Sequence, residues 1–140
     1  MTELRSGVQV FIDTGAWIAL ALSRDPLHGR ARQIWSSVLR SGALKRTSVP
    51  VVLETFTFLQ RNTTQEVALG WKDSLAELSR FRVLDCTRND VDRAWTAFER
   101  RDFHKLSAVD ATSFVIMKKS RIRIAFAFDH HFAQAGFRML

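Results

Sequence analysis

A single cysteine, Cys86, is all the chain has, which excludes an internal disulfide and any cysteine-rich zinc cluster. It stands in a predicted strand over residues 81–86 and reads as a small buried side chain. Long hydrophobic runs are also missing. The longest apolar stretch, near residues 16–22, is too short to cross a bilayer. The start, Met1-Thr2-Glu3-Leu4-Arg5, has no secretory pattern, and no repeat, linker or low-complexity segment interrupts the chain. The expectation is a soluble, cytoplasmic protein with no membrane association. Acids are scarce relative to bases, with 14 Asp and Glu against 21 Lys and Arg for a formal net charge of +7. That excess favours polyanionic partners, nucleic acid or an acidic protein. A length of 140 residues is enough for one domain, residues 1–140, with a substantial core.

Strand and helix signals alternate. Residues 8–12 are β-rich and end in the turn chemistry of Asp13-Thr14-Gly15. A short helix is predicted over 16–22, a turn at Asp25-Pro26, and an amphipathic helix over 27–40 that stops at Ser41-Gly42. A strand over 46–49 leads to Pro50, which suits a first helical position. The helix over 50–61 is so apolar that it is expected to be largely buried. Thr63-Thr64-Gln65-Glu66 offers a capping box for a helix running to about residue 80. After the strand over 81–86, Thr87-Arg88-Asn89-Asp90 opens a helix with Val91, Ala94, Trp95 and Phe98 facing inward. Ser107 caps a helix over 108–120, a strand covers 124–128, and a short tail follows. This order predicts an α/β fold with a mainly parallel sheet.

Four acids stand in apolar sequence near predicted sheet edges. Asp13 follows Val10-Phe11-Ile12, Glu54 follows Val51-Val52-Leu53, Asp110 follows Ala108-Val109, and Asp129 follows Ala125-Phe126-Ala127-Phe128. An unpartnered carboxylate is costly to bury. In an open α/β sheet the carboxyl ends of the strands are where ligands bind, and all four acids are expected there. Two unit charges ~4 Å apart repel by about 4 kcal/mol at an effective dielectric of ~20. A divalent cation relieves that repulsion, and hard carboxylate oxygens select Mg²⁺ or Mn²⁺. Each acid also has a plain structural role open to it. Asp13 can end a strand, Asp110 occupies the capping-box position after Ser107, Asp129 can cap a short helix, and Glu54 can pair with Arg61.

The segments that hold these acids resemble the PIN-domain ribonucleases found as toxins in VapC-type toxin–antitoxin pairs. The matching stretches are Phe11-Ile12-Asp13-Thr14-Gly15-Ala16-Trp17, Val52-Leu53-Glu54-Thr55, and Leu106-Ser107-Ala108-Val109-Asp110-Ala111-Thr112-Ser113-Phe114. The last and most specific is Ala125-Phe126-Ala127-Phe128-Asp129-His130-His131-Phe132 with Ala135-Gly136-Phe137. Their order and spacing span almost the whole chain. The resemblance implies a three-layer sandwich, a central parallel sheet between helices. It also implies that Asp13, Glu54, Asp110 and Asp129 form a catalytic Mg²⁺ or Mn²⁺ site for cutting RNA. Asp13 and Asp110 are then direct ligands. Glu54 and Asp129 act through water or through a second ion held only with substrate. Ser or Asn is common in the family where this chain has Gly15, so a side-chain donor is missing there and Thr14 is the neighbour available instead.

The family's partners would be an RNA substrate, a small antitoxin protein and a second copy of the chain in a homodimer. Trp17, Trp35, Phe56 and Phe58 supply apolar anchors for such surfaces. Arg46, Arg61, Arg121 and Arg123 are expected along an RNA backbone, and His130 and His131 near a phosphate. Other readings stay open on the residues alone. Asp13-Thr14-Gly15 matches the aspartic-protease motif, but that family pairs two such motifs in an all-β fold. Gly15 stands where a haloacid-dehalogenase-like phosphatase has its second Asp. A different metal-dependent phosphatase, and a non-catalytic domain that binds RNA or protein, both remain compatible with the four acids.

Overall fold

Five parallel strands order the molecule, in a computed structural model that describes residues 4–140. They are β1 (Gln9–Ile12), β2 (Leu44–Ser48), β3 (Phe81–Leu84), β4 (Ile124–Phe126) and β5 (Arg138–Met139), arranged β3-β2-β1-β4-β5. Residues 1–3, where the N-terminal sequence read for a secretory pattern begins, lie outside the described residues. Seven helices connect the strands: α1 (Thr14–Ala21), α2 (His28–Ser41), α3 (Val49–Asn62), α4 (Gln65–Ser74), α5 (Arg88–Ala94), α6 (Ala108–Lys119) and α7 (His131–Gln134). Val10, Phe11, Ile12, Ala125 and Phe126 are fully buried. Consecutive strand residues point to opposite faces, so burial of every one means that helices cover both sides of β1 and β4. This is the α/β sandwich the sequence predicts. Among the described residues no helix is long and apolar enough to cross a membrane.

The order of the sheet follows from its side chains. β1 after Gln9 and all of β4, in the middle, are apolar, whereas β2 and β3 carry Lys45, Arg46 and Arg82 toward the edge. A short polar chain locks the first helix onto the sheet. Trp17 Nε1 donates to Thr47 Oγ1 at 3.2 Å, and Thr47 Oγ1 donates to the Ile12 carbonyl at 2.9 Å. Trp17 also meets Trp35, Trp71 and Phe81 at centroid distances of 5.7 to 6.0 Å. It is therefore a core residue and not an exposed anchor for a partner.

Several expectations need correction. The helix α3 is not largely buried: only Val51, Thr55 and Leu59 are, while Leu53 is 62% exposed. Its hydrophobicity runs round the helix, but the helices α1, α4 and α6 cover only part of it. Trp95 and Phe98 do not face inward. They lie 53% and 45% exposed in a tight 3₁₀ turn over residues 95–99 that ends the helical repeat at Ala94. The helix after Thr64 stops at Ser74 and gives way to a 3₁₀ turn, with Thr64 rather than Thr63 capping it through the Val67 N–H. The genuine capping box is Thr87 with Asp90. Cys86 lies beyond β3 and is half-buried. The tail contains a helix and a strand, α7 and β5, that are too short to show a periodicity.

Candidate functional site

Parallel strands deliver their carboxyl ends to one edge, and three of the four acids reach it directly. Asp13 follows β1 as the N-cap residue of α1, with extended φ/ψ, and its backbone N–H donates to the Phe126 carbonyl at 3.0 Å. Its side chain does no capping. Among the described residues its buried Oδ1 has no hydrogen-bond partner, and neither has the buried hydroxyl of neighbouring Thr14. A buried acceptor left unpaired is costly, and its presence calls for a cation or a donor that comes from outside the chain. Asp110 lies in the first turn of α6, where Ser107 Oγ accepts the Asp110 N–H at 3.0 Å. Asp110 is 7% exposed, so the cap fixes a carboxyl that is nearly out of water. Asp129 follows β4 and is half-buried.

Charge ties these groups together. Burial raises the pKa of Asp13 well above the usual carboxylate value, and repulsion from Asp110, Glu54 and Asp129 adds to it, against the lowering effect of the Thr14 N–H. Burial likewise lifts Asp110, with Asp129 and Glu54 pushing the same way, to about 7. Burial works to raise Asp129 too, but the bonds it accepts from His131 and Asp110 outweigh it, and its pKa is lowered. One carboxyl is thus held protonated beside another held ionised, as expected when like charges share a site. Glu54, half-buried on α3, reaches the same centre through its charge on Asp13 and Asp110. It does not pair with Arg61, although both line one groove. The structure therefore brings together all four acids picked out in the sequence.

It also adds a residue and relocates two. Asp110, Asp129 and His131 each offer a ligand atom within 4.8 Å of the others. His131 is buried, with Nδ1 2.7 Å from Asp129 Oδ1 and Nε2 donating to the His104 carbonyl at 2.6 Å. Asp129 and His131 thus form a close carboxylate–imidazole pair. Asp129 Oδ1 also accepts the His131 backbone N–H at 2.9 Å. Burial opposes a charge on His131, yet Asp129 and the His104 carbonyl prevail and raise its pKa. His131 thus orients Asp129 and is not free to touch a phosphate. His130, beside it, is exposed. The role of His104 rests on a backbone carbonyl, which no residue type announces. The arginines part company as well: Arg46 is held by Gln9 Oε1 and the Lys45 carbonyl inside the sheet layer, and Arg61 lines the groove by Glu54. Arg121 and Arg123 precede β4 and so lie at the opposite edge.

That groove has a volume of about 750 Å³ and is walled by Leu53, Phe58, Val91 and Val109 around Glu54. The site therefore combines hard oxygen donors, one oriented His–Asp pair and an open apolar flank. It fits a divalent cation by donor chemistry, by the orphaned Asp13 oxygen and by the crowding of negative charge.

Known proteins share this layout. A model of the PIN domain matches residues 10–138. Over 128 residues the chain is 36% identical to the 23S rRNA-specific endonuclease VapC20 of Mycobacterium tuberculosis, covering 91% of this chain and 95% of that protein. The crystal structure of M. tuberculosis VapC20, a sarcin–ricin loop cleaving toxin, matches with a TM-score of 0.81 at 34% identity, over 91% of this chain and 95% of that one. VapBC2 of Rickettsia felis, bound to a DNA fragment from its promoter, matches in fold with a TM-score of 0.68 at 11% identity, over 95% and 98% of the two chains. DNA-bound VapBC of Salmonella typhimurium does so at 0.65 and 16%, over 95% and 97%.

Proposed function

This chain belongs to the PIN-domain family, and from that premise we propose that it is a divalent-metal-dependent ribonuclease, the toxin of a toxin–antitoxin pair, built as a single domain over residues 1–140. The observation that carries the reading is the cluster of Asp13, Glu54, Asp110 and Asp129 at the carboxyl edge of the sheet, with an Asp13 oxygen that nothing among the described residues satisfies. Mg²⁺ or Mn²⁺ is the proposed cofactor, with Asp13 and Asp110 as direct ligands and Asp129 and Glu54 completing the site. Such an ion supplies Lewis-acid stabilisation of charge on the scissile phosphate and a more acidic water. The chain's own part is to hold the carboxylates in place before substrate arrives. A carboxylate of this cluster can orient or deprotonate an attacking water. His131 keeps Asp129 ionised and aimed. Thr14, with its buried unpaired hydroxyl, is the neighbouring donor that Gly15 cannot provide.

The proposed substrate is 23S rRNA at the sarcin–ricin loop, by similarity to VapC20. A ribosomal substrate supports the cytoplasm as the proposed location. Its proposed partners are a cognate antitoxin protein and a second copy of itself. Leu53 and Phe58, exposed on α3 beside the groove, provide apolar surface for such contacts. The deciding experiment incubates the purified protein with ribosomes and with a panel of cellular RNAs, in Mg²⁺, Mn²⁺ or EDTA, and maps new 5′ ends. A cut in 23S rRNA that EDTA abolishes is the expected result. Intact RNA under all conditions, from folded protein, overturns the reading. Light scattering is expected to give a dimer, and co-expression with the antitoxin is expected to relieve growth arrest.

A further inference from the structure

All five strands run the same way, so the edge opposite the acids collects whatever precedes each strand. Around β4 and β5 this edge is basic. Lys118 lies in the last turn of α6, Arg121 and Arg123 lead into β4, and Arg138 opens β5. Two clefts meet on this edge. One, of about 500 Å³, is lined by Lys118, Arg121, Arg123, Phe137 and Arg138, and the other, of about 240 Å³, by Gly7, Gln9, Arg121 and Arg123. No acidic side chain lines either one. Among the described residues none of these four cations makes an ion pair, and Arg138 Nη1 is buried without a partner. A guanidinium nitrogen left this way has a donor to give to an anion.

The backbone fixes where Arg121 stands. It follows Ser120, the C-cap of α6, and adopts a left-handed φ of 58° while its N–H donates to the Lys118 carbonyl at 3.2 Å. Glycine is the residue that fits this position without strain. An arginine there sits against the local backbone preference, at the rim shared by both clefts.

We propose that the paired basic clefts around Arg121 and Arg123 form a second RNA-binding surface, which grips backbone phosphates of a structured RNA on the sheet edge away from the acids. The identity of the anion rests on the ribonuclease reading. The four-residue length of β1 sets the two edges about 13 Å apart. An RNA that bends round the domain touches both, whereas a short stem-loop fills only the acidic edge. The surface selects large folded RNA over small fragments. Its phosphate contacts carry no sequence information.

The test compares wild type with Arg121→Gly and with Arg121→Gly/Arg123→Gln. Binding to a long 23S rRNA transcript, to a stem-loop spanning only the cut site, and to duplex DNA is measured by filter retention in EDTA across a salt series. The slope of log K against log salt for the long RNA is expected to become shallower by about 0.7–0.9 per contact removed. Stem-loop binding, and its metal-dependent cleavage, should not change. Arg121→Gly is expected to melt no lower than wild type, because glycine relieves the left-handed residue, so weaker binding is not a folding defect. An unchanged slope on the long RNA overturns the proposal. So does a loss confined to duplex DNA. If wild type fails to cut the stem-loop, the ribonuclease reading falls, while the salt slopes still decide whether this surface holds RNA.

Discussion

The Asp13 N–H donates to the Phe126 carbonyl at 3.0 Å, one step past the last register pair, Ile12 with Phe126. This bond carries the β1–β4 pairing to the sheet edge and fixes Asp13 relative to Asp129, three residues beyond Phe126. The placement of the acid is thus a backbone matter, and changing the side chain leaves it in position.

Asp13→Asn and Asp110→Asn are accordingly expected to keep the fold and lose cleavage by at least about 100-fold, the scale seen when a preorganised charge stabiliser is removed. Without metal each is expected to melt higher than wild type, by about 4 °C for each kcal/mol of repulsion and unpaired burial relieved. Single-turnover assays and calorimetry check both. Full turnover by either variant removes that residue from the site.

Mn²⁺ is expected to stabilise the wild-type protein, since a ligand bound only by the folded state adds about 2.7 kcal/mol at a hundred times its Kd. Melts in EDTA and in Mn²⁺ measure the shift. An equal shift in Asp13→Asn would show that the ion binds elsewhere.

The metal-free protein is expected to lose stability as pH rises from 5 to 8. Asp110, with a folded-state pKa of about 7 against an ordinary 3.8, keeps its proton where the unfolded chain has released it. Over that window the folded state holds the extra proton, so stability falls with rising pH. The raised Asp13 acts in the same direction. The raised His131 does too: its contribution is complete below the unfolded value of 6.5 and is lost above it. The lowered Asp129 opposes these only below its unfolded value of 3.8, outside the window. Melting curves of wild type and Asp110→Asn at several pH values isolate the effect. A slope equal in both contradicts it.

Away from the site, Lys119 Nζ meets Asp90 Oδ2 at 2.7 Å, and the same oxygen accepts the Thr87 N–H at 2.9 Å. Asp90 is 1% exposed, so it is the partner that depends on the pair. Lys119→Met is expected to cost about 1–3 kcal/mol, the range for leaving a buried charged acceptor short of a donor. Denaturant titration reads the loss directly, and cleavage is expected to persist in the folded fraction.

Local chemistry made much of this protein legible. The apolar strands with an acid at the end of β1 and just beyond β4, the Ser107 cap ahead of Asp110 and the Thr87–Asp90 box all act within a few residues, so the sequence determined the alternation of elements and the placing of the acids. Which side of a helix its neighbours cover is not local. That is why α3 proved half exposed at Leu53 and why Trp95 and Phe98 turned outward. The partnership of Asp129 and His131 with the His104 carbonyl was equally hidden, because a carbonyl has no residue type and its position depends on how the loop before Ser107 packs against α7. The elevated pKa values of Asp13 and Asp110 depend on β1 and β4, distant in sequence, lying side by side, and the gathering of Arg121, Arg123 and Arg138 at the far edge depends on the pairing of β4 with β5. Charge interactions fall off with distance through space, not along the chain, so only the tertiary structure decided them.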